Sequence, residues 1–267
     1  MAIANLQTFR DALEQQRETV IQAYTTVSAS AGRVYDMFTL APSLVTPSTA
    51  LVPDSATAGA LRFSNPTSGQ LSVVGARLSS QAVGGYIIAD RLSHQGGLSA
   101  IVSGAQTTNL PTAALTRYTS GDGVMMGLTI YSILGTTATT VTASYTNSSG
   151  VAGRTTQAIA FGGSANREIS RLLVLPLQDG DTGIRSVESV NVVATTGTAG
   201  NFGVTLFKPL FSLVLDSTSS TNPLIGFVNG NSGGGIPTIQ NDACLFPIAM
   251  TLGSSLQATV SLQFAEN

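Results

Sequence analysis

Charge is what this sequence has least of. Only 10% of its 267 residues are charged, against about a quarter in an ordinary soluble domain. Lys208 is the single lysine, and the arginines are scattered from Arg10 to Arg185. Nucleic-acid binding needs a phosphate-facing basic patch, and a net charge of −2 with no basic cluster argues against it. Tryptophan is absent and the tyrosines number six, which counts against a sugar-binding cleft built on exposed aromatic platforms. No apolar run approaches the roughly 18 residues of a membrane span, and the N-terminus lacks the basic and apolar regions of a signal peptide. Cys244 is the one cysteine, so no intrachain disulfide can form. In Ala-Cys-Leu-Phe it reads as a small buried hydrophobe.

Ser, Thr, Gly, Asn and Gln take the place of charge, laid out between short apolar pieces. A nearly neutral surface favours association. Two readings follow: a neutral secreted β-protein, or a subunit whose surface is largely used up by neighbours.

The first 36 residues differ from the rest. They carry Arg10, Asp11, Glu14, Arg17, Glu18, Arg33 and Asp36, and between Asn5 and Gly32 they hold no Gly or Pro. Leu6, Phe9, Leu13, Val20, Tyr24 and Val27 recur at helical spacing, interrupted at Gln16. With Asn5 as N-cap and Gly32 as stop, the spacing predicts an amphipathic helix of about 25 residues within 1–35. Its apolar stripe packs on the parent domain or on copies from neighbouring subunits. These six residues are the candidate assembly interface.

From 36 to 66 the prolines Pro42, Pro47, Pro53 and Pro66 punctuate short apolar pieces. Proline removes a donor and extends the residue before it, so this segment reads as an extended arm. From 67 to 267 the pattern is β. Leu71–Leu78, Gly85–Leu92, Val124–Leu134, Thr139–Tyr145, Ala152–Phe161, Ile184–Thr196, Phe202–Leu206, Phe211–Leu215 and Leu256–Phe264 are strand-like. In one of them Val141, Ala143 and Tyr145 share a face, as in a half-buried antiparallel strand. Turns come about every ten residues, which predicts an antiparallel sandwich or jelly roll, with a potential subdivision near 163–168.

Groups that could carry chemistry are few. Asp179 and Asp181 in Gln-Asp-Gly-Asp-Thr-Gly are the nearest thing to a carboxylate pair. They also resemble the start of a calcium loop, but Ile184 and Arg185 stand where later ligands belong and no glutamate closes it. An Asp-Gly turn accounts for them more simply, and Asp122 in Ser-Gly-Asp-Gly reads the same way. His94 has no second histidine or nearby cysteine to share a metal. Gly230–Gly235 lacks the strand-to-helix setting of a phosphate loop, and no nucleophile motif occurs. The expectation is a protein with no catalytic residues, no metal and no cofactor.

Several strings resemble a family of tailed-bacteriophage virion structural proteins. They are Asp90-Arg-Leu-Ser-His-Gln-Gly-Gly-Leu, Gln106-Thr-Thr-Asn-Leu-Pro-Thr-Ala-Ala-Leu-Thr-Arg-Tyr, Ala143-Ser-Tyr-Thr-Asn with Ala152-Gly-Arg-Thr-Thr, the stretch from Leu175 to Val190, and Gly197-Thr-Ala-Gly-Asn-Phe-Gly-Val-Thr-Leu-Phe-Lys-Pro-Leu. They cover residues 84–215, about half the chain. The resemblance implies a particle component made in the bacterial host cytoplasm and carried in the virion. It transfers no catalytic residue, and it does not distinguish head from neck or tail. Its partners would be the major capsid protein or other virion proteins, with a homo-oligomer, a trimer foremost. A capsid decoration or cement protein ranks first, a neck or tail component (fibre base or tip) second, and a receptor- or glycan-binding module third.

Overall fold

The computed structural model describes residues 18–41, 50–111, 114–217 and 237–266, together with Gln7 and Asp11. They form three antiparallel sheets. A four-stranded sheet runs in the order β1 (Glu18–Ser28), β16 (Ser255–Glu266), β4 (Leu71–Ser80) and β14 (Thr238–Ile239). A second runs β10 (Ile159–Gly162), β8 (Ala138–Asn147), β12 (Ile184–Val192) and β6 (Gly104–Leu110), with β9 (Arg154–Thr155) beside β8. The third runs β11 (Leu172–Val174), β7 (Met125–Ser132), β13 (Asn201–Leu215), β5 (Gly84–Ser99), β15 (Leu245–Thr251) and β2 (Arg33–Asp36), with β3 (Ala50–Leu51) paired to β5.

Two long strands, β5 and β13, organise the molecule because each serves two cores. One end supplies Tyr86, Ile88, Phe211 and Leu213, which pack with Val73, Leu78, Val260 and Phe264 of the four-stranded sheet. The other end supplies Leu92, Phe202, Val204 and Leu206, which pack with Val141, Ala143, Tyr145 and Val190 of the second sheet. Between the two ends the β5–β13 register slips at Leu206/Phe207 and at Pro209/Phe211. Pro209 lies beside the second slip and beyond Phe207↔Met125, where the pairing of β13 with β7 ends, so its missing N–H has a ladder on one side only.

The third sheet curls back on itself. Its edge strands β2 and β11 are joined by the antiparallel bridge Tyr35↔Arg171, and Asp36 N donates to Ser170 O at 2.8 Å just beyond it. Strand alternation turns Ala89, Phe207 and Phe246 away from the flanking cores and into this barrel-like turn. There they pack with Phe38, Leu172, Cys244 and Ile248.

The expected antiparallel β architecture is present, and Val141, Ala143 and Tyr145 line one buried face of β8. The C-terminal half of the expected N-terminal helix is corrected by the structure. Glu18–Ser28 is a strand, antiparallel to β16 from Glu18↔Phe264 to Ser28↔Ser255. Thr19, Val20, Ile21, Thr25, Thr26 and Val27 are β-branched, which favours a pleated strand over a helix. Val20 and Tyr24, four apart, share a strand face as readily as a helix face, and the register shift between Tyr24 and Val27 re-phases Val27. Gly32 (φ +72°) belongs to the turn between β1 and β2, not to a helix end. In the earlier part of the proposed helix Gln7 and Asp11 are helical, while Leu6, Phe9 and Leu13 lie outside the described residues, as does Gly230–Gly235. In the arm, Met37–Leu40 is a single 3-10 turn capped by Asp36. Met37, Leu40, Leu61 and Phe63 are buried in the core of the four-stranded sheet.

Candidate functional site

Inside the curled sheet the described residues bury an unusual polar cluster. Asp36 comes from β2, Arg91 and His94 from β5, Thr129 and Tyr131 from β7, and Thr205 from β13. Arg91 Nη2 pairs with Asp36 Oδ2, with side-chain exposures of 1% and 0%. The carboxylate is held further by Thr129 Oγ1, which donates to Oδ2 at 2.7 Å, and by Phe38 N, which donates to Oδ1 at 3.1 Å. The guanidinium lies between two aromatic faces, its Cζ 4.2 Å from the Phe38 centroid and 4.6 Å from that of Phe246. Cation–π attraction of this kind strengthens where water is excluded.

Arg91 Nη1 also donates to Thr205 Oγ1 at 3.2 Å and lies 3.1 Å from His94 Nδ1. Arginine can only donate, so His94 Nδ1 is the acceptor, and Nε2 carries the proton toward the Tyr131 hydroxyl that it contacts. Burial and then the Arg91 charge hold the His94 pKa well below its ordinary 6.5. Burial alone would lower the Arg91 pKa, but the Asp36 carboxylate more than restores it. Burial likewise pushes the Tyr131 hydroxyl well up. The cluster is therefore a buried Asp–Arg ion pair beside a neutral histidine, an arrangement that clamps four strands together.

Asp90, the neighbour of Arg91, points the other way and makes a second buried pair. Arg117 Nε and Nη2 donate to its two oxygens at 2.8 and 2.9 Å, and Cys244 N adds a third donor at 2.9 Å. Arg117 Nη2 also reaches Pro53 O and Arg91 O, each at 3.0 Å, tying the 50–61 segment to β5. Cys244 itself is buried, and burial drives its thiol pKa far up, so no thiolate nucleophile forms there.

The carboxylates singled out in the sequence lie at the far end of the second sheet. Asp181 N donates to Gln178 O at 3.1 Å, closing the expected turn around Gly180 (φ +89°). Asp181 accepts from Arg154 Nε at 2.9 Å and from Asn147 Nδ2 at 2.7 Å, and also from the Tyr145 hydroxyl. Arg154 and then Tyr145 depress its pKa to about 2, so it stays ionised and cannot act as an acid. Asp179 takes its bond from Gln157 Nε2 at 3.1 Å, at an open polar hollow lined by Thr155, Thr156 and Gln178. Asp122 accepts from Thr182 Oγ1 at 2.8 Å, between Gly121 and Gly123, both at positive φ.

The structure thus does not bring His94, Cys244, Asp179 and Asp181 together into one site. Among the described residues no group of three His, Cys, Asp or Glu side chains could hold a metal ion, and no helix is long and apolar enough to cross a membrane. Of the six interface candidates, Val20 and Tyr24 are buried in the chain's own core and Val27 packs against it. The pairing of Asp36 with Arg91 and of Asp90 with Arg117 had no local signal in the sequence, because each joins distant segments.

No protein-family model and no curated protein matches the sequence. Solved structures that align with it include the subviral particle of infectious bursal disease virus VP2, at 10% identity and a TM-score of 0.22, over 95% of this chain and 81% of that one. A structure of the Gx strain of the same virus aligns at 10% identity and a TM-score of 0.23, over 95% and 82%. Scores this low do not establish a common fold.

Proposed function

We propose that the chain is a non-enzymatic virion structural protein, foremost a decoration or cement protein that binds and stabilises a bacteriophage head. One observation carries the reading: the side chains best suited to chemistry are spent inside the framework. His94 is neutral within an Arg–Tyr–Thr cage, Cys244 is buried, and Asp181 is locked by Arg154. Meanwhile Ile21, Val193 and Leu252 stand exposed on a charge-poor surface, which suits contacts of modest apolar and backbone character. The family resemblance over residues 84–215 supports the same conclusion. Its partners are then the major capsid protein or other virion proteins, with further copies of the chain in a homo-oligomer, a trimer foremost.

The neck or tail is the second placement, because the resembled family is described only as virion structural. Gold-labelled antibody against the chain, applied to intact particles under the electron microscope, tests both. Label over the head supports decoration, label at one vertex or along the tail moves the protein there, and bare particles overturn the virion reading.

A further inference from the structure

Three arginines of the described residues sit in ion pairs, and one further buried arginine does not. Arg91 has Asp36, Arg117 has Asp90, and the half-buried Arg154 has Asp181. Arg171 is only 8% exposed, yet it forms no ion pair among the described residues, and its Nε and Nη1 have no hydrogen-bond partner. A second guanidinium stands beside it, and the carboxylate that acts on it, Glu168, makes no ion pair with it among the described residues. Arg33 Nη1 and Arg171 Nη2 both donate to Asn166 Oδ1, at 3.2 and 3.4 Å. Arg33 is held there by a further bond to Ala165 O. Glu168 acts on Arg171 through its charge, but its Oε1 accepts from Ser30 Oγ at 3.2 Å and its Oε2 is unpartnered. Arg171 Cζ lies 5.9 Å from the centroid of the Tyr35 ring, whose hydroxyl already accepts from Ser30 N at 2.7 Å. Ser170, buried at φ +65°, adds a hydroxyl with no partner.

Burying a cation with open donors next to a like charge is unfavourable unless an anion compensates. Burial and then Arg33 depress the Arg171 pKa, while Glu168 and Tyr35 act against them without restoring it. We propose that Arg33 and Arg171, with Asn166 between them, form a binding site for an oxyanion of the phosphate or sulfate class. Two guanidinium groups converging on one point suit an oxyanion, whose several oxygens accept charge-assisted bonds from both. Arg33 and Asn166 are half-buried and form the entrance. Arg171 is the floor, with its Nε and Nη1 donors buried and unpartnered.

The test is a thermal melt of the full chain titrated with sodium phosphate at constant ionic strength, with chloride as the balancing salt, alongside calorimetric titration. A saturable rise in Tm with phosphate and sulfate, absent with chloride, is expected. Arg33→Gln should weaken the apparent affinity by about tenfold, the loss of one charge-assisted contact. Glu168→Gln should tighten it by removing the one nearby negative charge. Glycerol phosphate run beside the free ion separates a site open to a carried phosphate group from one that admits only the ion. A shift that chloride reproduces, or that Arg33→Gln leaves unchanged, overturns the proposal. So does a Glu168→Gln variant that melts lower and ignores phosphate, because Glu168 would then be the missing partner of Arg171.

Discussion

Arg91 on a central strand and Asp36 on the edge strand that closes the curled sheet form an ion pair from which water is excluded. The pair spans 55 positions of sequence and joins the two sides of the closure. Removing one partner of such a pair leaves a buried charge alone, which typically costs about 3–5 kcal/mol. Arg91→Met should therefore unfold at markedly lower urea. The double variant Arg91→Met with Asp36→Asn should recover part of that loss, since the new amide carries no charge, keeps its oxygen for Phe38 N and turns its Nδ2 to the Thr129 hydroxyl, which can accept. A double variant no better than the single one would mean that stacking on Phe38 and Phe246, not the pair, supplies the stability.

His94 gives the closure a dependence on pH. Its folded-state pKa is depressed, so the unfolded chain binds the extra proton first. Stability is then fully present above the ordinary histidine value of 6.5 and falls as pH drops below it. The loss steepens to at most about 1.4 kcal/mol per pH unit. The groups that face the imidazole are Arg91, Tyr131 and Thr205, with the Asp36 carboxylate beyond Arg91. None of these but Asp36 could offset an imidazolium, and Asp36 is already committed. Chemical denaturation between pH 7.5 and 5 should show the decline in the wild-type chain, and His94→Gln should flatten it. A parallel decline in the variant would assign the effect to other groups.

The β character of the chain was legible because alternation is a local signal: Val141, Ala143 and Tyr145 declare a strand face within five residues. Asp179–Asp181 was legible as a turn for the same reason. The helix reading failed where two periods coincide, since positions four apart share a face in both geometries, and only the density of β-branched residues in β1 separates them. The ion pairs were not legible at all. An isolated Asp or Arg gives no sign of its partner, and Asp36, Asp90, Arg91 and Arg117 are brought together only by sheet closure. For the same reason Val124–Leu134 and Thr139–Tyr145, consecutive in sequence, could not be seen to enter different sheets.

Gly135 sits where two of these sheets approach. A Cβ there would lie 1.8 Å from Thr196 O and 2.4 Å from Thr196 C, and both are backbone atoms with no rotamer to yield. Gly135→Ala should destabilise the chain by about 3 kcal/mol, at the upper end of ordinary overpacking. Gly85→Ala is the control, because its nearest neighbour is the flexible end of Met250 at 3.7 Å. It should shift the urea midpoint little. Equal effects would show that strand flexibility, not close approach, sets the need for glycine.

The N-terminal strand offers the sharpest contrast between adjacent faces. Tyr24 is 1% exposed and Ile21 is 67% exposed, although both sit on β1 and both are apolar in bulk. Tyr24→Ala removes a buried ring and should cost about 3 kcal/mol or more, whereas Ile21→Ser should leave the urea midpoint nearly unchanged. Tyr24→Phe is the informative third variant. The Tyr24 hydroxyl is buried without a partner, so deleting it removes an unsatisfied polar group and leaves the packing intact. The midpoint should hold or rise. A clear fall would mean that the hydroxyl is bonded in solution, and that the interior beneath β1 holds a polar partner for it.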